Sequence, residues 1–310
     1  MHIYVSGSLA FDRIMSFPGK FSDHILPDKI HILNVCFLVN GLEERFGGTA
    51  GNIAYSLSML GEKPTIIACG GKDFERYKEW LGKQGLTMDG IRLVDDEFTA
   101  GAYITTDQSD NQITGFNPGA MNYKSGFQVP APGPAGALAV VSPGNLQDMR
   151  DYPRVYRKLG IPYVYDPGQN IPALTSDQLL DGIKGSAVLI SNDYELEMIM
   201  KATGKSRDEL LATCGAIVTT LGEHGALVVE SGKETSIKAA RVDKVVDPTG
   251  AGDAFRAGLL KGLATGRCLA DAALVGATCA AYAVEKLGTQ EHAFDEAAFW
   301  ARFEANFGRK

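Results

Sequence analysis

The chain has 310 residues, 45% of them hydrophobic, enough to bury a large core. Its formal charge of −7 comes from 37 acidic against 30 basic residues with no long like-charge run, which argues against a nucleic-acid or anionic-membrane surface. Cys36, Cys69, Cys214, Cys268 and Cys279 are scattered and odd in number, which fits neither a disulfide framework nor a zinc spacing and points to a reduced cytoplasm; no signal-peptide pattern opens the chain, and no apolar run approaches the roughly 20 residues of a membrane span.

In chain order, His2–Ser6 reads as a strand. Gly47-Gly48-Thr-Ala-Gly51-Asn52-Ile-Ala54 opens a helix of small residues that runs to about Leu60, with Gly61 as its C-cap. Thr65–Ala68, Leu138–Val141, Tyr163–Tyr165, Val188–Ile190, Ala216–Thr219 and Ala226–Val229 are short β-branched runs separated by helical patterns. They are apolar throughout rather than alternating, as expected of a mostly parallel α/β sheet with helices on both faces. Two stretches depart from this rhythm. Residues 13–46 and 97–117 lack a convincing helix and carry period-two segments such as Ala100–Thr106 and Asn111–Phe116, which read either as a small strand-built lid or as long surface loops. Pro130–Gly136 reads as a connector, and Val242–Val246 as a strand that leads into a turn and a helix over Ala254–Leu263.

That last turn, Asp247-Pro-Thr-Gly-Ala-Gly-Asp-Ala-Phe255, carries the chemistry. Free N–H groups of Gly250, Ala251, Gly252 and Asp253 at a helix N-terminus would form an anion site of the kind phosphoryl transfer needs. Asp253 there would be held ionised at a low pKa, acting chiefly to orient an incoming hydroxyl. The same residues also read as an ordinary glycine-rich helix cap. Phe255 stands where a dinucleotide fingerprint needs its third glycine, and no Gly-x-x-x-x-Gly-Lys-Ser/Thr loop occurs, so neither an NAD site nor a P-loop is favoured. At the first glycine site, Gly47 and Gly48 would let a ligand approach the backbone, and Asn52 offers both donor and acceptor to sugar hydroxyls.

Gly47-Gly-x-x-x-Asn52-x-Ala54 and the Asp247–Phe255 run together resemble the two signatures of the PfkB, or ribokinase-like, kinase family. Gly7–Asp12 ahead of them, and Asp166-Pro-Gly-Gln169, Asn192-Asp-Tyr-Glu195 and Thr220–Gly225 between them, fall in family order. The resemblance implies a Rossmann-like three-layer α/β/α core over residues 1–12, 47–96 and 118–310, with a β-sheet lid over 13–46 and 97–117. It implies Asp253 as the base, with Gly250, Ala251 and Gly252 as the anion hole; Ser8, Asp12, Gly47, Gly48, Asn52, Gln169 and Asn170 at the acceptor; and Asn192, Thr220, Gly222 and Gly225 with Gly250 and Gly252 along ATP. Asn192 and Glu195 would support Mg²⁺ through water, Asp247 is a candidate K⁺ ligand, and two lids could pair in a homodimer.

Ser16–Ser22, Phe116–Met121, Ser191–Glu195, Asp253–Gly258 and Gly288–His292 are similar to the bacterial adenosine kinases of the family, which implies phosphorylation of the adenosine 5′-hydroxyl. Tyr103 and Phe116 on the lid strands would then either sandwich the purine or simply pack the lid. Tyr103 replaces a usual Phe, and Ile171-Pro-Ala follows Asn170 where a substrate-facing Arg is usual, so a furanose kinase or a broad nucleoside kinase stands as the alternative acceptor reading. A nucleotide sensor without chemistry would have no need of Asp253.

Overall fold

A computed structural model describes residues 1–308 apart from 132 and 134, so the expected connector at 130–136 lies partly outside the described residues. Among the described residues there are thirteen strands: β1 (Ile3–Ser6), β2 (Ala10–Ser16), β3 (Asn40–Gly47), β4 (Thr65–Gly71), β5 (Ile91–Val94), β6 (Ala100–Thr106), β7 (Gln112–Asn117), β8 (Leu138–Val141), β9 (Tyr163–Tyr165), β10 (Val188–Asn192), β11 (Ala216–Thr220), β12 (Ala226–Glu230) and β13 (Lys233–Ile237). The helices are α1 (Thr49–Met59), α2 (Glu75–Lys83), α3 (Leu146–Leu159), α4 (Ser176–Ile183), α5 (Asp193–Thr203), α6 (Arg207–Leu211), α7 (Ala251–Ala264), α8 (Leu269–Val284) and α9 (Glu296–Phe307). None is long and apolar enough to cross a membrane.

Nine strands form one sheet in the order β13-β12-β11-β10-β9-β8-β1-β4-β5, parallel except where β12 and β13 turn back. Along β1, Ile3 and Val5 face a core built with α1, α2, α7, α8 and α9, while Tyr4 between them faces a second core built with α3, α4, α5 and α6. Burial on both sides is why these strands read as unbroken apolar runs. From β1 the order grows one way through β4 and β5 and the other way through β8 to β11, so a crevice opens at the carboxyl ends of β1 and β8, where α/β sheets bind ligands.

The smaller sheet, β3-β2-β6-β7, is the lid. Its edges differ from expectation. Ala10 pairs with Gly47 and Ala100, so Asp12, within β2, and Gly47 belong to lid strands rather than to the core. The stretch between β2 and β3 forms short 3-10 turns gathered around Phe17, Phe21 and Phe37. The expected strand at Val242–Val246 is also absent: β13 already closes the sheet, and the segment runs instead beside the end of α8, where the N–H groups of Val246 and Asp247 donate to the Val284 carbonyl.

His292 ties the segment before α9 onto α1. Its carbonyl accepts from Tyr55 Oη and its Nε2 lies 3.1 Å from Ser56 Oγ. Burial pushes this imidazole down to about 4. Between about pH 6.5 and 4 the unfolded chain therefore binds the proton and the folded one does not, so stability falls as pH falls through that window. His292 is expected to account for about 2 kcal/mol of the loss between pH 7 and pH 5. Urea unfolding of His292→Leu should show a correspondingly flatter pH dependence; an unchanged slope would rule the assignment out.

Candidate active site

Gly250 caps the start of α7, and its φ of 79° lies in the left-handed region open to glycine; a Cβ there would sit 3.0 Å from Thr289. Asp247 fastens the turn, its Oδ1 accepting from Thr249 N–H and its Oδ2 from Gly288 N–H, each at 2.9 Å. Burial raises the Asp247 pKa, but these hydrogen bonds hold the carboxyl below its ordinary value. The Ala251 N–H, expected to be free for an anion, donates instead to the Pro248 carbonyl. Among the described residues those of Gly250, Gly252 and Asp253 have no protein acceptor, which leaves the helix N-terminus open to a ligand.

Asp253 departs from the expected low pKa. Burial raises its carboxyl to about 6, against the opposing pull of the Arg256 guanidinium and a hydrogen bond from Asn52. It faces a cleft of about 700 Å³, within the size range of small-molecule sites. Gln169, Asn192, Glu195, Thr220, Gly222, Gly225 and Gly252 share that cleft with Asp253. Its apolar wall is built from Val242 and Val245, in the segment beside the end of α8, and from Ala277, Ala281 and Val284 of α8 itself. Asn192 and Glu195 form a capping box for α5, each side chain accepting from the other's N–H, which leaves Glu195 Oε1 without a protein partner among the described residues.

On the other side of Asp253 lie the glycine pair and the lid. Gly48 has φ 88°, and a Cβ there would strike the backbone of Ser8, Leu9 and Ala10. At Gly47 a Cβ would come within 2.7 Å of Asp12 Oδ2, so its absence gives that carboxylate room. Ser8 Oγ accepts from Thr49 N–H and caps α1. Asn170 Nδ2 donates to the Gly144 carbonyl. The Asn52 amide is largely spent on protein: Nδ2 donates to Asp253 Oδ2 at 2.8 Å and Oδ1 accepts from Gln290.

The lid register separates the two aromatics. Asp12 is level with Ala102, which is opposite Phe116, whereas Arg13 is level with Tyr103, which is opposite Gly115. Because side chains alternate, Asp12 and Phe116 share one face and Tyr103 lies on the other. There its hydroxyl accepts from Arg13, whose guanidinium also lies over its ring and pairs with Glu44 and Asp73. The two rings therefore cannot close on one purine.

A model of the pfkB family carbohydrate kinases matches residues 19–296. The chain belongs to that family. The kinase is 30% identical to the nucleoside kinase of Methanothermobacter thermautotrophicus over 97% of this chain and 95% of the relative. It is 28% identical to that of Methanocaldococcus jannaschii, covering 83% and 85%. The solved structure of Burkholderia thailandensis nucleoside kinase in complex with inosine matches with a TM-score of 0.87 and 36% identity over 99% of both chains. The protein is thus a phosphotransferase with a hydroxyl acceptor, on the ribokinase-like fold with its separate lid sheet.

Three polar groups of the kinase site lie in segments quoted from the sequence but were given no role there. Arg256, buried one turn after Asp253, donates to the Gly252 carbonyl and pairs through two nitrogens with buried Asp166. The Asp253/Arg256 spacing of three on one helix was the available signal. The third, Gln290, comes from a loop with no periodicity to read.

Proposed function

We propose that this kinase transfers the γ-phosphoryl group of ATP to the 5′-hydroxyl of a purine nucleoside, adenosine foremost. Asp253 is the base and the Gly250–Gly252 turn the anion hole. One observation carries the reading: Asn52 of the first glycine site and Asp253 of the second, 201 residues apart in sequence, join side chains at 2.8 Å. Acceptor hydroxyl and moving phosphoryl would meet at that point, with Asp12 and Gly47 toward the sugar and the large cleft toward ATP. Asn192, Thr220, Gly222 and Gly225 would lie along the nucleotide.

Among the described residues no group of three metal-ligating side chains exists. Mg²⁺, which keeps several of its waters, would be held by the phosphates and by Glu195, whose Oε1 has no protein partner among the described residues, with Asn192 beside it. Bound there, it would neutralise phosphate charge. For K⁺, Asp247 already accepts two N–H groups, so an ion beside it would act by firming the turn. Leu38, Leu42 and Ile113 are exposed on the lid and would be covered if two lids paired in a homodimer.

The nucleoside assignment rests on Phe116, half-exposed on the same lid face as Asp12. ADP release measured over adenosine, inosine, other nucleosides, ribose and fructose should show kcat/KM highest for a purine nucleoside; a higher value for ribose would overturn the assignment. Stacking contributes about 1–3 kcal/mol per base, so Phe116→Ala should raise nucleoside KM about tenfold or more. Tyr103→Ala, on the opposite face, should change it by less than about threefold.

A further inference from the structure

The Asn52–Asp253 hydrogen bond is the end of a longer chain behind Asp253, whose further members, Gln290, Trp80 and Tyr77, have no part in the roles above. Trp80 Nε1 donates to Gln290 Oε1 at 2.8 Å. Gln290 Nε2 donates to Asn52 Oδ1 at 3.0 Å and to Tyr77 Oη at 2.8 Å. Asn52 Nδ2 then donates to Asp253 Oδ2, and Tyr77 Oη to the Gly47 carbonyl, each at 2.8 Å. Gln290 is 2% exposed and Asn52 5%, so no solvent competes for these groups.

The direction of the chain is dictated at its ends. An indole N–H can only donate, so the Gln290 oxygen must face Trp80 and its NH₂ must face Asn52 and Tyr77. Asn52 then presents its oxygen to Gln290 and its NH₂ to Asp253, and an ionised carboxylate can only accept. An amide free to turn over would lose this order, because its two ends are nearly the same shape. Trp80 is itself held, stacked on Phe46 at 5.2 Å between centroids and on Tyr55 at 5.8 Å. The chain also explains Gly51, where a Cβ would lie 1.9 Å from Tyr77 Oη and 3.1 Å from Gln290 Nε2.

We propose that Gln290, oriented by Trp80, is a positioning residue that locks the Asn52 amide so that a fixed N–H caps Asp253 Oδ2, leaving Oδ1 for the acceptor hydroxyl. Through Tyr77 the same amide fixes the Gly47 carbonyl, so one side chain sets the base and the acceptor-site glycine together. The role of Asp253 here rests on the proposed function; the hydrogen-bond order does not.

The test is the titration of Asp253, read by carboxyl ¹³C NMR on the free protein and by the acid limb of kcat/KM for the best nucleoside. Losing a fixed donor to a carboxylate should move both upward by about one unit in Gln290→Leu, with the KM for ATP unchanged. Gln290→Glu should shift them further, because its second oxygen demands the Asn52 NH₂ and turns the Asn52 oxygen toward Asp253. Trp80→Phe, which keeps the stacked ring, should give a smaller shift of the same sign, and it decides the matter if neither Gln290 variant folds. In an Asn52→Ala background Gln290→Leu should add nothing. Unmoved titration of Asp253 in folded Gln290→Leu or Trp80→Phe would overturn the proposal. Absence of nucleoside phosphorylation by the parent protein would sink the functional reading instead, while the NMR titration still reads the chain.

Discussion

Asp253→Asn is expected to lower kcat by about 10³-fold, the middle of the range for a positioned general base, with both KM values near the parent's. The substitution keeps shape and still offers Asn52 an oxygen, so ligand geometry is preserved while proton acceptance is lost. The pH dependence follows from the raised pKa. Only the ionised carboxylate can take the proton, so kcat/KM of the parent enzyme should rise about tenfold per pH unit below about 6 and level above it. Stability runs the other way. A carboxyl raised from 3.8 to about 6 binds its proton more tightly in the folded state, so stability declines as pH rises through that window. The neutral Asn escapes that decline, and the variant should melt at or above the parent temperature at pH 7. Loss of turnover with a retained or higher melting temperature separates lost chemistry from lost folding. Turnover within about tenfold of the parent would remove Asp253 as the base.

What could be read from the sequence followed local physics. The core strands lie between two layers of helices and so showed as unbroken apolar runs, and glycines whose backbones resist a Cβ marked the start of α1 at Thr49 and of α7, which begins at Ala251, three residues ahead of the expected Ala254. Four features were not legible because they depend on what folding brings alongside. Val242 and Val245 have the composition of a strand but find no partner beyond β13, and instead form cleft wall. Tyr103 and Phe116 both looked lid-borne, yet their faces were fixed by the pairing of β6 with β7, and one residue of register decides which side a ring occupies. The helix N-terminus argued for a low pKa at Asp253, but burial outweighs it. Gln290 lies in the Gly288–His292 segment, but neither that resemblance nor anything around Trp80 assigned the two side chains a role; their significance exists only once α2 and the loop before α9 meet behind Asn52.

Arg256 is where charge and fold are hardest to separate, and its substitution has the second large expected effect. Arg256→Met removes the cation that pairs with Asp166 and lies near Asp253 and Glu195, leaving buried carboxylates uncompensated. Breaking such a pair from one side costs about 3–5 kcal/mol, measurable as a lower urea midpoint. The acid limb of kcat/KM should also move above about 6, because the guanidinium is the strongest of the influences holding the Asp253 pKa down. A paired substitution separates the roles. Asp166→Asn with Arg256→Met removes both charges, and exchanging a buried pair for neutral groups is often close to neutral for stability, so most of the urea midpoint should return. The acid limb should return only in part and stay above about 6, since the lost Asp166 charge had also raised the Asp253 pKa but the stronger influence, the guanidinium that favoured its ionised form, is still missing. If the limb stays at about 6 in both variants, Arg256 only closes the fold; if it stays high while stability recovers, the ion pair is kept for the electrostatics of the α7 turn rather than for the strength of the core.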